Sequence, residues 1–152
     1  MILAKAKERK TLRLDTSGME ELIRKMDKIG MDVKPLVEKA LTEAGAKISN
    51  DTLAALSDQF LPAQGIYHGS RRETEESVIM YPQVTWEGSV AWIPVGFDFS
   101  KPGAGGYLIS GTPKMQPDKE LNKMYKGKRY MKGIQDDMYK VLEDAYADEL
   151  LK

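Results

Sequence analysis

Residues 84–99 read Val84-Thr85-Trp86-Glu87-Gly88-Ser89-Val90-Ala91-Trp92-Ile93-Pro94-Val95-Gly96-Phe97-Asp98-Phe99, and they decide the kind of fold this chain builds. Val84 and Trp86 alternate with other residues, Glu87-Gly88 supplies a tight turn, and an apolar segment returns from Val90 to Phe99. Alternation interrupted by a glycine turn predicts an antiparallel pair of strands. Side chains alternate across a strand, so Ala91, Ile93, Val95, Phe97 and Phe99 share one face and Val90 and Trp92 the other. Two apolar faces predict a strand covered on both sides, by helices of its own chain and by another subunit.

Working outward, Val78-Ile79-Met80-Tyr81 predicts a further strand, which Pro82 places at a sheet edge or breaks. Tyr107-Leu108-Ile109 predicts the last strand and Thr11-Leu12-Arg13-Leu14 a short first one. Helical periodicity flanks this β-rich middle. Ser17 with Glu20 forms a capping-box pattern ahead of Met19, Leu22, Ile23, Met26 and Ile29, and Gly30 suits the helix end. Asp32 and Pro35 mark the start of a second helix, whose apolar stripe runs from Leu36 through Val37, Ala40, Leu41, Ala44 and Ile48 to Leu56. Small residues at 40 and 44–46 permit close approach by another element. Pro117-Asp118 opens a short helix to about Tyr125, and Lys126-Gly127-Lys128 joins it to a final one. Met131, Ile134, Met138, Val141, Leu142 and Ala145 supply the apolar face of that last helix.

The expected fold class is α+β. A small, mainly antiparallel sheet from about residues 77–110, helped by 11–15, packs against a long helix in the N-terminal half and a C-terminal helix. With 152 residues, 41% hydrophobic and 30% charged, the chain fits one soluble domain. That domain is expected over residues 11–152, preceded by a flexible arm at 1–10 and interrupted by a mobile loop at 57–76. The absence of cysteine excludes disulfides and thiolate metal sites. No apolar run approaches the roughly 20 residues needed to span a bilayer, and the first ten residues are too short a core for a secretory signal. These features predict a protein made and used in a cytoplasm.

Residues that carry chemistry are scarce. The single histidine, His68, has no second histidine or cysteine near it in sequence. Gly103-Ala104-Gly105-Gly106 lacks the Gly-Lys-Ser/Thr of a phosphate loop and reads as a hinge with no helix after it. Asp136-Asp137 and Glu143-Asp144 fall opposite an apolar stripe, where solvation explains them. The sequence therefore points away from an enzyme and implies no cofactor and no metal. Charge is more informative: the net charge of zero hides a basic segment at 114–132 and an acidic one at 133–152. Separated charges suit a subunit whose ends attract neighbours, or one that holds Lys119, Lys123, Lys126, Lys128 and Arg129 toward nucleic acid.

The stretch after the sheet carries a resemblance. An apolar Tyr107-Leu108-Ile109 runs into Gly111-Thr112-Pro113, then Lys114-Met115 and the charged helix start Asp118-Lys119-Glu120-Leu121. Pro113 fixes its own φ and biases Thr112 to extended backbone, which makes a rigid corner. With the two preceding helices and the Val90–Asp98 strand, this order resembles the tail-component or neck-protein family of long-tailed bacteriophages, in the branch from phages of Gram-positive hosts. Many members place a large aromatic just after the proline matching Pro117, where this chain has Asp118.

The resemblance implies a virion structural protein at the head–tail junction or head-proximal tail end. It would be a ring-forming subunit that joins portal-side connector or head-closure proteins to tail-terminator or tail-tube proteins and lets DNA pass. Subunit contacts are expected at Trp86, Trp92, Phe97 and Phe99 and at the Gly111, Thr112, Pro113, Lys114, Met115 corner. Phe60, Leu61, Ile66, Tyr67, Arg71 and Arg72 are expected to dock on a partner. A phage DNA-binding or packaging accessory protein is the alternative.

Overall fold

A computed structural model describes residues 12–57, 71–101, 103, 105–111, 113 and 116–152. The elements run β1 (Leu12–Asp15), α1 (Glu20–Lys28), α2 (Val33–Ser57), α3 (Arg71–Glu76), β2 (Thr85–Glu87), β3 (Val90–Val95), α4 (Gly105–Ser110), α5 (Lys119–Tyr125) and α6 (Lys128–Leu150). The fold is α+β, as the sequence predicts.

The hairpin forms as expected, with β2 and β3 antiparallel across Gly88 and Trp86 opposite Ala91. β1 adds to the other side of β3, also antiparallel, with Leu14 opposite Ile93, so the sheet order is β1-β3-β2. Thr16 prolongs that pairing by one step. Its backbone N–H donates to the Ala91 carbonyl and its hydroxyl accepts from the Ala91 N–H, both at 3.1 Å. Ala91, Ile93 and Val95 face inward and are buried, with Leu14 beside them.

α2 lies across that inner face. Gly45 makes the close crossing possible, because a Cβ there would stand 2.8 Å from Ile93 Cδ1. The helix then meets α6 on another side and buries Val37, Leu41, Ile48 and Leu56 completely. A helix enclosed on several sides is apolar over more than one stripe, and this explains its broad Leu/Ala/Ile pattern. α5 and α6 close the other side of the core with Leu121, Met131, Met138 and Leu142.

Several local expectations need correction. The residues 107–109 are not a strand: they lie in α4, whose Gly105, Leu108 and Ile109 are buried. Gly105 sits against Phe97 so closely that no Cβ fits, so the glycines after Ser100 include a packed helix start rather than only a hinge. Gly111 (φ +74°) still makes a corner, at the end of a helix. The carbonyls that α4 leaves free are taken up by the next element, with Asp118 N–H donating to Leu108 O at 2.7 Å and Asn122 Nδ2 to Ile109 O at 2.8 Å.

Ser17 does not cap α1. The helix begins at Glu20, with Met19 at the cap position and no side-chain cap bond. The Ser17 N–H is held by Asp15 Oδ1 and Gly18 N–H by Glu20 Oε2, so a turn through Gly18 (φ +89°) consumes the groups a capping box needs. At the far end, Gly30 N–H donates to Asp27 O and Met31 N–H to Met26 O, the paired bonds of a glycine-terminated helix. β3 stops at Val95, where Gly96 (φ +94°) turns the chain, and Phe97 keeps only an isolated bridge to Val78. The 78–81 run is thus a short continuation beside residues 96–98, tied to α2 by Ser49 Oγ donating to Ile79 O. Residues 71–76, assigned to a loop, form α3; Phe60, Leu61, Ile66, Tyr67 and His68 lie outside the described residues.

Candidate subunit interface

The aromatic residues assigned to subunit contact go to separate surroundings. Phe97 is 2% exposed and belongs to the core, its ring 6.2 Å from that of Tyr125. It cannot meet another subunit without unfolding. Trp86 is on the inner face of β2, partly buried, and its Nε1–H donates to Glu38 Oε1 on α2 at 3.2 Å. Phe99 is partly buried against the core. Trp92 lies on the outer face of the sheet, where Arg13 stacks 3.8 Å from its ring centre. Glu87 Oε1 accepts from both Arg13 and Trp92 Nε1. The aromatic residues of 86–99 are therefore largely covered by their own chain. Of the corner residues, Gly111 is half-buried and Pro113 exposed, while Thr112, Lys114 and Met115 lie outside the described residues. Arg72 is exposed and pairs with Glu76 one turn along α3 at 3.0 Å.

Buried polar groups explain packing rather than chemistry. Thr52 Oγ1 bonds both Ile48 O and the Tyr125 hydroxyl, and burial raises the Tyr125 pKa to about 12. Asp51 accepts from Tyr130 OH at 2.6 Å and Lys47 Nζ at 3.0 Å. Burial pushes the Asp51 carboxyl upward, but these two donors and the Lys47 charge outweigh it and leave the group below its usual range. Asp98 is held low by the Ser100 hydroxyl and N–H. Among the described residues, no cluster of three or more His, Asp or Glu is arranged to hold a metal, and no helix is long and apolar enough to cross a membrane.

Charge forms the distinctive surface. Lys119, Lys123 and Lys126 follow at spacings of four and three, so they share one exposed face of α5 and its last turn. Gly127 then redirects the chain, and a Cβ there would stand 2.5 Å from Lys123 O. That tight bend brings Lys128 and Arg129 directly after the α5 lysines, at the exposed start of α6, with Lys132 one turn on. Among the described residues, only Lys123 of these has a carboxylate within 4.0 Å, that of Glu120.

The acidic groups occupy the other end of α6 and a different side. Asp137, Asp144 and Asp148 are exposed and share one stripe with Val141, 41% exposed, and Leu151, 86% exposed. Asp137 and Val141 also line a shallow groove of about 140 Å³ between α2 and α6, floored by Ala40, Ala44, Ile134 and Met138. Val141, assigned to the core face from its spacing, is instead on this rim. The sequence reading did not single out Leu150 and Leu151; two leucines behind Asp148-Glu149 were the available signal.

The placement of these charges opposes the ordinary helix pattern. α1 has Glu20 and Glu21 in its first turn and Lys25 and Lys28 in its last, each offsetting the backbone dipole. α6 begins with Lys128 and Arg129 and ends with Asp148 and Glu149, so its side chains add to the dipole instead. Twenty residues apart along the helix, the two charged ends are separated by about 30 Å. No protein-family profile, curated protein or solved structure matches this chain.

Proposed function

We propose that the chain is a non-enzymatic structural subunit of the head–tail junction of a long-tailed bacteriophage, assembling into a ring between portal-side connector and tail-terminator or tail-tube proteins. The order of its helices, hairpin and Gly-Thr-Pro corner supports this reading by resemblance. The observation that carries it is the segregation of exposed charge, basic over 119–132 and acidic over the second half of α6, in a chain whose net charge is zero. A head-to-tail ring needs two different faces that fit one another, and opposite charges at separate places supply that property. Its location would be the virion, with the host cytoplasm as the site of assembly. Labelled antibody against this chain, viewed on purified particles by electron microscopy, tests the proposal. Label at the head–tail joint is expected; particles without label would sink it.

A second reading, a DNA-binding or packaging accessory protein, is favoured by the six exposed cations Lys119, Lys123, Lys126, Lys128, Arg129 and Lys132. Nonspecific DNA contact through phosphates weakens steeply with salt. Tight binding to duplex DNA at physiological salt would favour the accessory role; loss of binding at that salt would favour the ring.

A further inference from the structure

We infer that the acidic stripe on the second half of α6 is the seat for the basic face of α5 from a second copy of this chain. The inference deepens the assembly reading and rests on it for the occupant, a second copy. Three observations converge on it. The stripe Asp137, Val141, Asp144, Asp148, Leu151 covers about 21 Å of helix and combines three carboxylates with two exposed apolar side chains, with Lys140 and Lys152 at its edges, the latter paired with Glu149. Val141 and Leu151 give a docked helix apolar area beside the carboxylates, and repulsion between carboxylates and phosphates excludes nucleic acid as the occupant. The counterpart, Lys119, Lys123 and Lys126, has the same four-and-three helical spacing, opposite charge and the same exposure. Placed side by side, the two stripes can set Lys119 against Asp144 and Lys123 against Asp148, with the stem of Lys126 opposite Leu151.

The third observation is the direction of α6. Its side chains strengthen the positive potential at the N-terminal end and the negative potential at the C-terminal end, while α1 in the same chain does the reverse. Charges placed against the stability of their own helix are relieved when an opposite end docks on them. Among the described residues, none of these lysines lies within 4.0 Å of an α6 carboxylate of its own chain, so the two surfaces are left unpaired within one copy. The contact is heterologous, and repeated addition gives a ring if the rotation closes and a filament if it does not. The groove floored by Ala40 and Ala44 continues the stripe onto α2, where Glu43 adds a carboxylate and Lys47, also on the rim, is already paired with Asp51.

Charge swapping tests the contact with the full chain. Lys119→Glu with Lys123→Glu makes both surfaces acidic, and Asp144→Lys with Asp148→Lys makes both basic. Sedimentation velocity should show the parent self-associating at 0.1 M salt, with the dissociation constant rising at least tenfold by 1 M as the Debye length falls from about 10 Å to about 3 Å. Each double variant alone should lose association at least tenfold while keeping the parental circular dichroism spectrum. An equimolar mixture of the two should restore it, in complexes containing both.

A parent that stays monomeric at millimolar concentration and 0.1 M salt overturns the inference. So does a mixture that fails to associate, or a lysine variant that loses duplex DNA binding but associates like the parent. Failure here with antibody label still at the head–tail joint removes this contact and leaves the assembly role standing. Restored pairing with unlabelled particles does the opposite.

Discussion

Replacing Gly105 by alanine measures directly whether residues 105–110 form a helix packed on the hairpin. An added Cβ would stand 2.4 Å from Phe97 Cγ and 2.6–2.7 Å from both Cδ atoms, about 1 Å inside the 3.4 Å at which ordinary contact begins. These atoms form the base of the ring, and Phe97 is buried, so no flexible end can swing aside. Overpacking of this kind costs about 1–3 kcal/mol. Replacing glycine in a helix interior gains up to about 1 kcal/mol, less at the first helical residue, so a net loss of about 1–2 kcal/mol is expected.

Gly133→Ala is the internal control, since Gly133 lies inside α6 with nothing within 4 Å of its added Cβ. It should gain about 0.5–1 kcal/mol. In a domain of this size each kcal/mol moves Tm by about 2–4 °C, so calorimetry should find Gly105→Ala several degrees below the parent and Gly133→Ala slightly above it. Equal or higher stability for Gly105→Ala would refute the packing of α4 on Phe97 and return the segment to a strand or an open hinge.

Other outcomes follow from the buried polar groups. The Tyr125 pKa is raised from 10 to about 12, so the folded state keeps a proton that the unfolded chain loses; stability should be fully present below pH 10 and fall as pH rises through 12, read as tyrosinate absorbance appearing together with unfolding. Tyr130→Phe removes the 2.6 Å bond to Asp51 and should cost about 1 kcal/mol. Because the Asp51 pKa is depressed, its contribution is present above the ordinary carboxylate range and lost as pH falls through the folded value, so chemical denaturation of Tyr130→Phe should show a shallower loss of stability in acid. Asp118 caps α5 through Oδ1 while its buried Oδ2 has no hydrogen-bond partner; Asp118→Ser should keep the cap and match or exceed parental stability, whereas Asp118→Ala should lose about 1 kcal/mol.

The helices that carry long apolar periods were legible in the sequence because many residues vote for one period. α2 and α6 needed no tertiary knowledge, and Asp118, Gly127 and Gly88 marked boundaries through their own backbone chemistry. α4 was not legible. Tyr107-Leu108-Ile109 is too short to distinguish period 2 from period 3.6, and only the approach of Gly105 to Phe97, eight residues apart in sequence, decides it. Ser17 misled for a related reason: its neighbours Asp15 and Thr16 were already committed to the sheet edge. For the candidate interface, sequence located the opposite charges but not the apolar residues among them. The aromatic content of residues 86–99 gave no sign that Arg13, from the far end of the chain, would cover Trp92.

The position of β1 has a consequence for how the molecule is made. Leu12 pairs with Val95, so the first strand must wait for a partner synthesised about 80 residues later. Closing so long a loop carries an entropic cost, and contacts of this separation slow folding. On the ribosome, α1 and α2 can pair early, whereas Leu14 has no strand to join until Ile93 has emerged. A nascent chain stalled before residue 90 would hold α1 and α2 with their core faces uncovered and an orphaned strand, a species open to proteolysis. Once the β2–β3 hairpin has emerged, β1 and α2 can close on it, and the core is complete only when α5 and α6, synthesised last, cover its other side.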